Sequence, residues 1–162
     1  MKRKFVLSRG IAMLTGALMI SGLMFTSCNK DNDKDNNDMF NLSGSANGSQ
    51  VVPSVAGNGT GTITGTYNRN TNQLNYNIGW NGLSGAASSV GFYGGAMSGA
   101  NGTQVGNNLA ITTAGSTGGS IGTMTLTDQQ ESDLMAGKWY YLIGTPTNGT
   151  GEVRGQVTTT AQ

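Results

Sequence analysis

Chemistry at neutral pH needs side chains that titrate, attack or coordinate, and this chain of 162 residues holds few of them. It has no histidine, which excludes a serine–histidine triad and an imidazole metal site. Beyond residue 40 the acids are Asp128, Glu131, Asp133 and Glu152. The first three crowd a helix-like stretch, where they serve as caps and solvated charge. Glu152 alone falls in a strand-like run, Gly151-Glu152-Val153-Arg154-Gly155-Gln156-Val157. There Val153 and Val157 share the inward face, and Glu152, Arg154 and Gln156 share the other, so that Glu152 and Arg154 can form an ion pair. Hydrolysis of a glycoside by an acid pair needs a second convergent carboxylate, and the sequence places none. Glycine-rich loops abound, but none has the Lys-Ser/Thr ending or the strand–loop–helix context of a phosphate loop. The expectation is no catalytic residue, no metal and no cofactor, with a divergent hydrolase built on Glu152 as the enzyme alternative.

The one cysteine, Cys28, closes the run Met24-Phe25-Thr26-Ser27-Cys28. Before it come a basic head (Lys2, Arg3, Lys4, Arg9) and an apolar stretch from about residue 11 to 25, a secretory signal layout. Thr15, Gly16, Ser21 and Gly22 interrupt that stretch, which falls short of the roughly 18–20 residues of a spanning helix, so residues 1–27 read as a cleaved signal peptide. The boundary resembles a bacterial lipobox, with Phe25 where leucine is commoner. That resemblance implies lipidation of Cys28 on sulfur, by palmitate-type chains. One chain binds a membrane marginally, whereas two or three, at about 0.8 kcal/mol per methylene, anchor stably. The expected partner is thus a membrane, through acyl chains on Cys28, and the expected location is the cell envelope, on the outer membrane, facing the periplasm or the surface.

Residues 28–38 comprise that cysteine and an Asp/Asn-rich tether with no apolar side chain after it, which cannot offset its ordering entropy. The alternation Asp31, Asp33, Asp35 is similar to the start of a calcium loop, but Asn36 stands at the glycine position and Leu42 at the bidentate glutamate position, so a solvated spacer is expected. Lys and Asp after the cysteine resemble surface-export signals of Bacteroidetes lipoproteins. Without residues 1–27 the chain carries five Lys/Arg against eight Asp/Glu, a net charge of −3. The basic excess belongs to the signal, so no nucleic-acid footprint is left.

Residues 39–160 form the expected folded domain. Short period-2 runs alternate with Gly, Asn, Ser and Thr, and 24 of the 27 glycines lie here. Such punctuation predicts an all-β fold, an antiparallel Greek-key-like β-sandwich of about eight strands. The clearest strand is 73–80, with Leu74, Tyr76, Ile78 and Trp80 on one face and Asn75 and Asn77 on the other. It follows a strand at 59–67 through a hairpin. Further strands are expected near 40–46, 88–95, 108–113, 119–126, 138–145 and 151–159. One short helix is expected near 128–136: Thr127 and Gln130 make a capping box and Gly137 a left-handed stop. Most aromatics read as core. A glycan-binding module would instead present exposed rings such as Tyr93 and Tyr140 for stacking on sugars.

Gly151–Gln156 also resembles the closing motif of the chordin-type (CHRD) domain. The same family pattern is met by Phe40–Gly44, the Gln50-Val51-Val52-Pro53 turn, a strand from Gly57, Leu74–Ile78, Thr127 and Gly137–Tyr141. The resemblance implies a β-sandwich of secreted proteins that serves as a binding or structural module, its protein or glycan ligand unspecified. Many members carry His-x-His after the central strand and His-Thr in a late strand; here Gly91, Tyr93 and Gly144 stand at those positions, so a family metal site is not expected. Loss of bulk at Gly91 and Gly144 would leave a small cleft beside Tyr93, Thr145 and Arg154, with Glu152 on the same closing strand.

Overall fold

The structure is a computed structural model that describes residues 38–162. The signal segment, Cys28 and the tether up to residue 37 lie outside the described residues. The elements run β1 (Met39–Asn47), a 3₁₀ turn (Gly48–Gln50), β2 (Thr60–Asn68), β3 (Gln73–Asn81), β4 (Ser89–Gly94), β5 (Thr103–Val105), β6 (Gly118–Thr125), α1 (Asp128–Met135), β7 (Tyr140–Gly144), β8 (Val153–Gln156) and β9 (Thr158–Ala161).

All pairings are antiparallel, in one nine-stranded sheet ordered β5-β4-β7-β8-β1-β2-β3-β6, with β9 also on β1. The sheet curls into a sandwich-like half-barrel. Tyr76 on β3 and Phe92 on β4 have four strands between them along the sheet, yet their rings meet edge-on at 5.2 Å. Alternation explains which side is inside: Leu74, Tyr76, Ile78 and Trp80 are buried while Asn75 and Asn77 are exposed. From the other half, Val90, Phe92, Tyr141, Ile143 and Val153 complete the core.

The hairpin from β2 to β3 turns through Asn72 at φ 55°, and the Asn68 side chain accepts from the backbone of Asn70 and Thr71. The helix has the expected reciprocal cap: Thr127 Oγ1 accepts from Gln130 N–H and Gln130 Oε1 from Thr127 N–H. Gly137 follows at φ 68°.

Three differences from the sequence reading stand out. Residues 108–113 are a loop with one bridge, Thr113 to Gly119; Leu109 and Ile111 reach the core without strand pairing. Residues 103–105 instead form a short edge strand, pairing Val105 with Phe92. The closing strand divides at Val157: β8 pairs with β7 and is in ladder register with β1 only at Asn47, whereas β9 pairs with β1 from Phe40 to Ser43. Gly155 permits the tight passage, since a Cβ there would meet Ser45 O and the Tyr141 ring, each at 2.7 Å.

Outside the curl, β9, β1, β2, β3 and β6 present aligned cross-strand rows. Thr158, Ser43, Thr64, Asn77 and Ile121 make one row, and Thr160, Asn41, Thr66, Asn75 and Thr123 the next.

Candidate functional site

Arg154 lies on β8 and Glu152 immediately before it, but they do not pair. Glu152 is 3 % exposed and lies against the β3–β4 connection and the β7–β8 turn. Ser84 N–H, Ser84 Oγ–H and Thr145 Oγ1–H each donate to its carboxylate at 2.6 Å, and Asn148 Nδ2 donates at 3.4 Å. Burial alone would raise its pKa; the donated hydrogen bonds outweigh burial and hold it below its ordinary value. The carboxylate therefore acts as an anionic knot tying two loops to a strand.

A general acid or base needs a substrate within reach, and a hydrolytic pair needs a second acid. None of the groups bonded to Glu152 is a carboxylate. A Cβ on Gly59, just before β2, would lie 3.4 Å from Glu152 Oε1. Glu131, by contrast, pairs at 2.7 Å with Arg69, just after β2, and Asp38 accepts from Asn70 at 2.6 Å. The length of β2, about 30 Å at the rise of a strand, separates these acids from Glu152. Among the described residues no three His, Cys, Asp or Glu side chains cluster as metal ligands.

Arg154 is 1 % exposed, although it is on the outer face of its strand. Loop residues cover it: Arg154 Nη2 donates to Met97 O at 3.4 Å and Gln156 Nε2 to Ala96 O at 3.1 Å. Its guanidinium lies 3.6 Å from the Tyr140 ring centroid, and Tyr93 stacks on Tyr140 at 5.2 Å with 10° between planes. The strand order β4-β7-β8 puts Tyr140 between Tyr93 and Arg154. Burial pulls Arg154 below the usual guanidinium range, and burial then Tyr140 push Tyr93 up. Nη1 has no hydrogen-bond partner among the described residues. A buried cation without a carboxylate is held by packing and ring polarisation, at a desolvation cost. Arg154→Met is therefore expected to keep or raise the urea midpoint, because it retains the stem's packing and removes the charge. A pronounced fall in midpoint would show that the guanidinium itself is required.

Tyr93 and Tyr140 line a cleft of about 450 Å³, with Val51, Val52 and Pro53 on one wall and Asn101, Leu142 and Thr150 around it. Asn101 Nδ2 donates to Val52 O at 3.0 Å, and Gly102 N–H to Tyr140 Oη at 3.0 Å, which joins the two loops over the strand face. The structure thus separates the four residues grouped by the sequence. Tyr93 lines the cleft, Arg154 backs Tyr140, and Thr145 and Glu152 belong to the buried knot. Glycine leaves no void at 144, where a Cβ would meet Ser89 Oγ at 2.6 Å; at 91 Tyr93, Gln104 and Asn108 stand close. Ser84, Asn148 and Asn101 were not legible as site residues, since single polar residues in loops carry no spacing signal.

Of the nine domain aromatics, Phe40 and Tyr93 are half-buried and the rest are buried, Tyr140 included. The rings do not form the exposed platform that stacking on sugars requires. No curated protein and no solved structure matches the chain. The run from Leu42 to Val157, which takes in the curled sheet from within β1 to β8, the capped helix and the closing Gly-Glu-Val-Arg-Gly-Gln segment, matches the model of the CHRD domain, and the chain belongs to that family.

Proposed function

We propose that this chain is a lipoprotein of a bacterial envelope, anchored to the outer membrane through acyl chains on Cys28, whose CHRD domain is a non-catalytic binding module. The observation that carries the binding reading is the cleft between the Val51–Pro53 turn and the Tyr93–Tyr140 stack. Its volume is in the range of small-ligand sites, and its walls combine apolar surface with a few polar groups, the usual composition of such sites. Among the described residues its neighbouring charge is the stacked, covered Arg154, which suits holding a ligand and offers no proton transfer.

The anchoring reading rests on the ordered basic head, broken apolar stretch and cysteine of residues 1–28. The tether that follows, at about 3.3 Å per extended residue, has the reach to hold the domain on the order of 30 Å from lipid. Cys28→Ser is expected to abolish acyl labelling and to release the protein into the soluble fraction or leave an uncleaved precursor. A cleaved chain that stays on the membrane without Cys28 would overturn the anchoring reading.

A further inference from the structure

The outer face of β9, β1, β2, β3 and β6 is built without charge. Its two aligned rows contain hydroxyls and amides with Ile121, which is 59 % exposed, as the one large apolar side chain. Open sheets in soluble proteins ordinarily carry lysine or glutamate on this side, which raises solubility and discourages sticking. Here the described charged side chains lie elsewhere: Arg69 with Glu131, Lys138 with Asp133 and Asp128 at the helix, Asp38 before β1, and Glu152 and Arg154 buried.

The face also carries shallow, open depressions. Thr64, Asn77 and Ile121 form one wall and Thr66, Asn75 and Thr123 the other, about 7 Å apart by the strand repeat, around a hollow of about 420 Å³. In the adjoining row Gly79 and Gly119 pair without side chains, and a second hollow of about 290 Å³ opens between Thr60, Thr62, Trp80 and Asn81. Two uncharged hollows side by side suit a polymer rather than a single small molecule.

We infer that this face is a second binding site, for a neutral polysaccharide chain lying across β2, β3 and β6. The inference rests on the reading of the domain as a binding module and gives that reading a ligand class and a location away from the Tyr93 cleft. Sugar hydroxyls match amide and hydroxyl walls in both donor and acceptor roles, and Ile121 offers apolar contact to the C–H face of a ring. An acidic glycan, nucleic acid or phospholipid headgroup finds no cation here, and a basic partner finds no carboxylate. Neutrality on this scale excludes recognition by ion pairing.

The test is affinity electrophoresis of the lipidated protein in detergent micelles, through native gels containing dextran, mannan or xylan. At least one of these is expected to retard it, equally at about 0.05 and 0.5 M salt, because no ion pair is screened. Asn77→Lys, an exposed change that leaves the core untouched, is expected to weaken retardation at least tenfold. Retardation that survives Asn77→Lys would overturn this site while sparing the binding-module reading. Retardation by polygalacturonate alone, or by none of the gels, would overturn it as well. So would a dimer in sedimentation that Asn77→Lys converts to monomer, since a second copy would then cover the face.

Discussion

Glu152→Ala is expected to destabilise the domain by about 3 kcal/mol or more at neutral pH, read as a fall in the urea midpoint at constant slope. The carboxylate accepts three bonds at 2.6 Å from Ser84 and Thr145. Alanine leaves these donors facing a void, each costing about 1–3 kcal/mol where buried and unsatisfied. The pH dependence separates the charge from the packing. Because the folded pKa lies below the ordinary value of 4.5, the stabilisation is complete above that value and is lost as pH falls through the folded pKa. Wild-type stability should therefore drop on the acid side of about pH 4.5, and Glu152→Gln should flatten that part of the profile. An unchanged profile in Glu152→Gln would mean that the carboxylate is not the anion described here.

Phe92→Ala is expected to cost about 3–5 kcal/mol, a large part of the 5–15 kcal/mol typical of a whole domain. Phe92 is fully buried, edge-on to Tyr76 and 5.5 Å from the Trp139 ring. It is where the two wings of the curled sheet touch, so its loss opens a cavity that neither wing can fill alone. Phe92→Leu, which keeps most of the volume, should lose well under half as much. Equal losses for the two variants in urea unfolding would show that the ring contact does not join the wings.

Much of this architecture was legible because it depends on local pattern. The alternation of Leu74, Tyr76, Ile78 and Trp80 with Asn75 and Asn77 sets β3 and its inner face; Thr127, Gln130 and Gly137 set the helix and its two ends. The edge strand at 103–105 has no sequence signal because Thr-Gln-Val is too short and polar to announce one, and the strand expected near 108–113 is a loop because Leu109 and Ile111 alternate without finding a partner strand. The site was less legible for a different reason. Period-2 reasoning gives Glu152 and Arg154 an outer face, and an outer face reads as solvent. Loops 48–55 and 95–102 cover that face around Arg154, while Ser84, Thr145 and Asn148 cover Glu152, and no strand periodicity announces such coverage. An ion pair between neighbours two apart was the natural expectation; Ser84 and Tyr140, distant in sequence, claim the two charges instead.

The partner exchange at Val157 bears on timing. Until residues 153–161 are available, β5-β4-β7 and β1-β2-β3-β6 are separate sheets, each with an open edge, and no other strand can join them. The pairing of Phe40 with Ala161 spans nearly the whole domain sequence, a long loop to close before any reward is collected. Closure is thus the final act of folding, deferred until synthesis of every other strand is complete. Under the envelope reading proposed above, a chain that crosses a membrane N-terminus first cannot close this sheet until its last strands have emerged.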